Sequence, residues 1–288
     1  MKCEQLSLMT FTLDIDSAMK KLSVKDCLTL AKKEGIPYVD VMRLSGRRLQ
    51  EYVAATRETG VKPYCYIGAV SFFSSSEKRI RKSLTKQLRS AITLGAKLFM
   101  IVPVNPQKDK KVCAKLGKTK VRNRLKKYFA MAVSMAVGTG IQVCFETTPH
   151  DYSCLSGIED CRWILEQVPQ LGLVYDTANM LPHGDDPLEY YEALKQHVVH
   201  VHVKDVVLRM ATWKDRLFPT EWTKDGKVMS GCVSGQGVIP LKEILVRMEK
   251  DGYRGIYAVE YCHPEKFPAD FSTNAQQLKK HMHNLLKY

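Results

Sequence analysis

Eight short apolar runs recur along the chain, and each has the length of a β-strand. The segments between them carry helical periodicity and helix start signals, so strands and helices alternate. Strands that alternate with helices form parallel sheets, and the pattern therefore predicts an α/β fold. The predicted strands are 5–10, 38–42, 62–67, 98–103, 142–146, 172–176, 198–203 and 256–260.

The number of strands favours one closed (β/α)8 TIM barrel that takes up residues 1–288. Such a barrel needs about 250 residues, and the 288 residues contain no Pro/Gly/Ser-rich linker that would divide them. The alternative is an open doubly wound sheet, which would need a glycine-rich phosphate turn after its first strand. The sequence there is Met9-Thr10-Phe11-Thr12 and has no glycine.

Several helix boundaries are also predicted. A capping residue three positions before an acid marks three helix starts, at Ser23 before Asp26, Ser156 before Glu159 and Asp186 before Glu189. One helix should bury a face formed by Ile80, Leu84, Leu88 and Ile92, and Gly95 should end it. A last helix is expected over 275–286.

Composition suggests a cytoplasmic protein with no membrane span. The nine cysteines form no Cys-x-x-Cys pair, which suits a reducing compartment. The sequence shows no signal segment, and no apolar run is long enough to cross a bilayer. Nothing in the sequence argues against a homo-oligomer.

The net charge of +14 is partly local, because residues 108–127 hold ten Lys and Arg residues and one acid, Asp109. A solvated segment is the simplest interpretation, and phosphate capture or contact with a nucleic-acid backbone are the alternatives. Two connections, 104–120 and 206–239, exceed ordinary loop length. Both follow predicted strand ends, where long loops commonly act as lids.

The predicted seventh strand carries polar residues that are unusual in a buried strand. In Val198 to Asp205, His200, His202 and Lys204 alternate with valines and point to one face. The valines pack on the other face. The histidines therefore line a cavity or the inside of the barrel.

Four consecutive predicted strands end in metal-ligand side chains. Glu146, Asp176, His202 and Glu260 would converge at one mouth of the barrel, because parallel strands end on the same side. Three carboxylates and one imidazole make an oxygen-rich set. The pattern predicts one divalent cation, with Mn²⁺ preferred and Mg²⁺, Co²⁺ or Zn²⁺ as alternatives.

Motifs spread over the chain resemble the xylose isomerase-like TIM-barrel superfamily of sugar and sugar-phosphate isomerases, 3-epimerases, inosose dehydratases and endonuclease IV. They are Leu6-Ser7-Leu8, the stretch from Ala31 to Gly35, Leu94-Gly95-Ala96, Glu146-Thr147-Thr148, Asp176-x-x-Asn179, His202-Val203-Lys204-Asp205, Gly235-Gln236-Gly237 and Glu260-Tyr261.

The resemblance implies that Glu146, Asp176, His202 and Glu260 are the metal ligands and that Glu146 and Glu260 also form the acid/base pair. The substrate would be a sugar, sugar phosphate or cyclitol that reacts through an enediolate. Isomerisation or epimerisation is the leading expectation, and a lyase of the same fold, an inosose-type dehydratase or a C-glycoside-cleaving subunit, is the alternative. The candidate substrate-binding residues are Asp40, Asn179, Lys204, His200 and Gln236, although His200 fits equally well as a buried histidine.

Two positions depart from the pattern of free-ketohexose epimerases, which carry histidine at the position of Asn179 and arginine at that of Leu208. The His-x-Lys-Asp sequence is more similar to sugar-phosphate epimerases and inosose dehydratases. The extra histidine ligands of endonuclease IV are missing from the predicted third and fourth strands. DNA repair is therefore a remote alternative, and no nucleic-acid partner is expected.

Overall fold

Eight parallel strands close into a barrel in the computed structural model of this protein, which describes residues 3–10, 23–212, 221–260, 276–277 and 279–280. Around the barrel the strands follow one another in chain order, and the last strand, 257–259, closes the barrel by pairing with the first, 6–9. The predicted (β/α)8 barrel is confirmed. Its strands are β1 Leu6–Met9, β2 Tyr38–Met42, β3 Lys62–Ala69, β4 Leu98–Val102, β5 Gln142–Glu146, β6 Gly172–Asp176, β7 Val198–Val203 and β11 Tyr257–Val259.

The described residues include eight α-helices, and the barrel lies inside them. They are α1 Val24–Lys33, α2 Arg47–Thr59, α3 Glu77–Leu94, α4 Pro106–Leu116, α5 Lys118–Ala136, α6 Ile158–Gln167, α7 Pro187–Leu194 and α8 Leu241–Lys250. Most of the helix predicted over 275–286 lies outside the described residues. No helix in the described part of the chain has both the length and the apolar content needed to span a bilayer.

Two of the three predicted caps are confirmed. Ser23 and Asp26 form a reciprocal capping box, and the Asp186 carboxylate accepts hydrogen bonds from the first amides of α7. The prediction for Ser156 is wrong. Gly157 precedes α6, and the buried Ser156 hydroxyl has no hydrogen-bond partner among the described residues, so it does not cap the helix.

The apolar face of α3 is narrower than predicted. Ile80, Leu84 and Leu88 are buried, but Ile92 is 46% exposed. Each step of four residues turns the helix 40° beyond a full circle, so the fourth member of the row has left the buried face. Gly95 ends the helix in a left-handed conformation, as expected.

The basic segment after β4 is helical, so the prediction of a loop over 104–120 is wrong. Asn105 caps α4 by accepting a hydrogen bond from the amide of Gln107, and Pro106 occupies the first turn. Asp109 is fully buried and accepts hydrogen bonds from Ser71 and the Asn105 amide. The lysines of this segment are exposed and lie on the solvent side of the helix.

The long connection after β7 folds into a second, antiparallel sheet. Its strands are β8 Asp205–Met210, β9 Glu221–Trp222 and β10 Lys227–Cys232, in the order β8-β10-β9. Residues 213–220 lie outside the described part. The buried Asp205 carboxylate holds the start and the end of this connection together, because it accepts hydrogen bonds from the amides of Gly235, Gly237 and Ile239.

Gly237 has no room for a side chain. A Cβ atom there would lie 2.1 Å from Asp205 Oδ1 and 2.4 Å from the carbonyl oxygen of Val206. Gly237→Ala should therefore displace the Asp205 turn and lower the free energy of unfolding by about 1–3 kcal/mol. Thermal and urea denaturation measure this. Val238→Ala, at an exposed neighbour, is the control, and equal stability of the two variants would contradict the prediction.

Candidate active site

Four side chains from four consecutive barrel strands meet at one end of the barrel. Glu146 and Asp176 are the last residues of β5 and β6, His202 lies near the end of β7, and Glu260 follows β11 directly. One ligand atom of each lies within 4.8 Å of those of the other three. Strand register explains the convergence, because His202 is level with Asp176 on one side and Ala258 on the other. We call these residues the four-residue cluster.

His202 is fully buried and has carboxylates at both edges of its ring. Its Nδ1 lies 2.5 Å from Glu146 Oε1 and 3.5 Å from Glu260 Oε2. Its Nε2 lies 3.3 Å from Asp40 Oδ2. Burial alone would lower the pKa of His202, but the charges of Glu146, Asp40 and Glu260 outweigh it and raise that pKa well above its ordinary value.

Asp176 has one satisfied and one unsatisfied oxygen. Its Oδ1 accepts hydrogen bonds from the amides of Ala178 and Asn179, both at 2.7 Å. Its Oδ2 is buried without a hydrogen-bond partner, and the Lys204 ammonium lies 3.7 Å away. Burial and repulsion from Glu260 and Glu146 raise the pKa of Asp176 to about 8, although Lys204 acts in the opposite direction.

Lys204 connects Asn179 to Glu260. Its Nζ donates to Asn179 Oδ1 at 2.9 Å and to Glu260 Oε1 at 3.2 Å. The Asn179 amide in turn donates to the carbonyl oxygen of Thr147 at 3.0 Å, so its orientation is determined. Burial would raise the pKa of Glu260, but Lys204 and His202 hold it below its ordinary range.

Asp40 lies at the edge of the His202 ring opposite to Glu146, and it is fully buried. Its Oδ1 accepts a hydrogen bond from Ser7 at 2.6 Å, and its Oδ2 lies 2.5 Å from His200 Nε2. Burial would raise the pKa of Asp40, but His200 and His202 together hold it well below its usual range. These contacts suit a residue that orients His202 better than one that touches substrate.

The sequence analysis predicted neither the contact between Asp40 and His202 nor the hydrogen bond that Ser7 donates to Asp40. Ser7 alternates with two buried leucines in β1, so strand periodicity points it into the barrel. That is the signal that could have found it. The Gln236 side chain is exposed, and none of the described hydrogen bonds connects it to the four-residue cluster. Its role as a substrate contact stays a prediction.

The four-residue cluster fits a divalent cation. It supplies one imidazole nitrogen and carboxylate oxygens from three residues, a set that suits Mn²⁺, Mg²⁺, Co²⁺ or Zn²⁺. The buried Asp176 Oδ2 has no hydrogen-bond partner, and the nearest positive charge, Lys204 Nζ, is 3.7 Å away. A bound cation would compensate the negative charge of this oxygen. Because Asp40 lies beside Nε2 of His202, the atom of His202 that would bind the cation is Nδ1.

Residues 28–287 match the sequence model of the family described as xylose isomerase-like TIM barrel. The chain belongs to this family. The match covers all four residues of the cluster and the whole barrel after β1.

Among curated proteins, this xylose isomerase-like barrel is similar to the inosose dehydratase of Lacticaseibacillus casei. The two are 28% identical over 126 residues, which are 43% of this chain and 37% of the relative. The chain thus matches little more than a third of the length of that relative.

Among solved structures, the probable 3-DHS dehydratase AsbF of Bacillus anthracis superposes with a TM-score of 0.72 at 14% identity, over 96% of this chain and 98% of the other. The zinc-bound IOLI protein gives 0.71 at 21% identity, over 98% and 97%. The 3-keto-D-glucoside 4-epimerase YcjR of Escherichia coli gives 0.68 at 15%, over 95% and 98%. At these identities the structures show a shared fold.

Metal binding should strengthen as pH rises. Below its raised pKa of about 8, Asp176 carries a proton that an incoming cation must displace, and the raised pKa of His202 acts in the same direction. We expect the affinity for Zn²⁺ and Mn²⁺ to increase from about pH 6 to about pH 8.5, with proton release. Calorimetric titration in two buffers of different ionisation enthalpy measures both. An affinity that is constant with pH would contradict the prediction.

Asp40→Asn should weaken metal binding although Asp40 lies outside the four-residue cluster. The substitution removes the negative charge that lies 3.3 Å from His202 Nε2, and the loss of such a neighbour of a metal ligand costs about 10- to 100-fold in metal affinity. Competition with a chromogenic chelator measures it. Ser7→Ala, which removes only the hydrogen bond to the other carboxylate oxygen, is the matched control and should have a smaller effect. Unchanged affinity in Asp40→Asn would rule out the orienting role.

Proposed function

We propose that this protein is a divalent-metal-dependent isomerase or epimerase that acts on a hydroxyketone sugar, sugar phosphate or cyclitol through an enediolate. The arrangement of Glu146 and Glu260 carries the proposal. Both lie beside Nδ1 of His202, at 2.5 Å and 3.5 Å, yet their strands are separated around the barrel by β6 and β7. Two carboxylates therefore enter one site from two sides.

Glu146, Asp176, His202 and Glu260 would hold the cation. When bound, it supplies Lewis acidity that polarises a substrate carbonyl and lowers the barrier to removal of the adjacent proton. The oxygen-rich donor set keeps Mn²⁺ as the preferred ion in this proposal, and the zinc-bound IOLI structure supports divalent metal in general.

Glu260 is the candidate base. Lys204 and His202 keep it in the ionised form that can accept the proton alpha to the carbonyl, although the same contacts make it a weaker base. Return of a proton by Glu146 from the other side would invert the carbon. Return by Glu260 to the neighbouring carbon would exchange aldose and ketose.

Lys204 and Asn179 are the candidate contacts to substrate oxygens. They hydrogen-bond to each other at 2.9 Å beside Glu260, and both are buried. A substrate hydroxyl could replace either partner in this network. The activities of two similar proteins, inosose dehydratase and 3-keto-D-glucoside 4-epimerase, support a polyhydroxylated ketone as the substrate class.

A dehydratase of the same fold is the second candidate, and the position of Lys204 favours it. The ammonium lies 3.2 Å from Glu260 Oε1, so it is close to the group that would remove the alpha proton. From there it could protonate a departing beta-hydroxyl, and water would be lost from the enediolate. The similarity to inosose dehydratase agrees with this, but it extends over 37% of that enzyme.

Exchange of substrate protons in D₂O tests the proposal. The metal-loaded protein should incorporate deuterium alpha to the carbonyl of a ketose, a ketose phosphate or an inosose. Glu260→Gln should lower the exchange rate by about 10²- to 10⁴-fold because it removes the base. Lys250→Gln, an exposed change outside the site, is the control.

The product distinguishes the two candidates. Exchange with an isomeric product supports the isomerase or epimerase, whereas an absorbing product with one water less supports the dehydratase. His202→Ala should lose the metal in elemental analysis. Absence of exchange with every ketone, in protein that retains its metal, would contradict both candidates.

A further inference from the structure

The excess of positive over negative charge in this protein lies in one part of the chain. Residues 77–136 contain 17 of the 44 Lys and Arg residues but only 2 of the 30 Asp and Glu residues. The rest of the chain contains 27 basic and 28 acidic residues, so the net charge of +14 arises entirely from this segment. It forms α3, β4, α4 and α5. The positive charge therefore has a defined location on the barrel.

On α3 the basic residues form a row along the helix. Lys78, Lys82, Lys86 and Arg89 are exposed and recur at intervals of three or four positions, so they share one face. The opposite face, with Ile80 among others, is buried. Neighbours in the row are about 5–6 Å apart along the helix axis. We call these four residues the α3 basic row.

Helix α5 uses part of its positive charge within the fold. On α5, Lys118 and Arg122 pair with Asp160, and Lys127 pairs with Glu77. By contrast, none of the ion pairs between described residues involves a member of the α3 basic row. The row is therefore a set of charges that the described fold does not neutralise.

A groove runs beside the row. Lys82, Lys86 and Arg89 line it together with Ser45 in the loop before α2, Leu49 of α2 and further residues of α3, and its volume is about 520 Å³. Its lining contains hydroxyl groups but no carboxylate. It offers hydrogen-bond donors and positive charge to an anionic chain lying along α3.

From the sequence alone no nucleic-acid partner is expected, but the row of cations that pair with no described residue on one face of α3 indicates one. We propose that the α3 basic row is a docking surface for the phosphodiester backbone of a nucleic acid, bound without regard to sequence. A linear series of cations a few ångströms apart matches a polymer with regularly spaced negative charges better than it matches a small anion. A membrane fits less well. Ile92 is the one large apolar side chain exposed in residues 77–136, so the surface has little to insert into lipid.

This docking surface is separate from the four-residue cluster. The row lies on the solvent side of α3, whereas the cluster lies at the ends of β5, β6, β7 and β11. The inference does not depend on the proposed reaction. Loss of nucleic-acid binding with unchanged proton exchange, or the reverse, would separate the two.

The test is fluorescence anisotropy of the full chain with a labelled DNA duplex and an RNA strand of about 20 nucleotides, between about 50 and 200 mM salt. We expect the logarithm of the binding constant to fall linearly with the logarithm of the salt concentration. If the four cations each contact a phosphate, the slope should be about −3 to −4.

Two variants with the same change of net charge locate the surface. K78E/K82E/K86E/R89E should lower affinity at least about tenfold and flatten the salt dependence. K32E/R57E/K62E/K250E reverses four exposed cations elsewhere and should change affinity less than about threefold. Circular dichroism and metal content check that both variants are folded.

Three outcomes would overturn the proposal. The first is absence of binding to either nucleic acid at low salt. The second is an equal loss of affinity in the two variants, which would mean that net charge alone attracts the polymer. The third is binding of vesicles rich in anionic lipid through the row while both nucleic acids fail to bind, which would assign the surface to a membrane.

Discussion

A buried imidazole with carboxylates at both edges of its ring is the interaction on which the rest of the site depends. His202 is fully buried in β7, with Glu146 and Glu260 on its Nδ1 side and Asp40 on its Nε2 side. Charges in such a place are costly unless they are paired. The imidazole and its carboxylates neutralise one another, and a cation on the Nδ1 side would take over that role.

Further charged residues at the mouth of the barrel also compensate one another. Asp176 cannot be satisfied by its backbone amides alone, because its second oxygen is buried without a hydrogen bond. Lys204 supplies a positive charge near it and also binds Asn179 and Glu260. The residues that would bind a metal and those that would contact a substrate thus belong to one network. A change in one of them should alter the charge state of the others.

The connection after β7 is tied to the same place by a different device. Asp205, the first residue of β8, lies one position beyond Lys204 and accepts hydrogen bonds from three amides that belong to the return segment before α8. A buried carboxylate that binds several amides determines the path of a long connection better than apolar contacts would. The small antiparallel sheet is therefore fastened at the C-terminal end of β7, beside the residues of the mouth.

The sequence alone determined the barrel and the composition of its mouth, since apolar runs, their spacing and the residues at their ends are local features. The strands β2, β5, β6 and β7 have the predicted bounds, and the four cluster residues were predicted from strand ends. Local signals failed where packing decides. Ser156 was assigned to a cap but is buried, and the lysines after β4 lie on a helix that is anchored by the buried Asp109.

Only the tertiary structure decided which side of His202 faces which carboxylate. Asp40 lies on β2 and contacts both histidines of β7, and Asp40 and His200 are 160 positions apart. They meet because closure of the barrel places β2 two strands away from β11 and near β7 across the interior. No periodicity within either segment specifies such a contact, because ring orientation depends on partners that come from distant strands. The chemistry of the site therefore follows from residue types written in the sequence and from an arrangement that exists only once the barrel has closed.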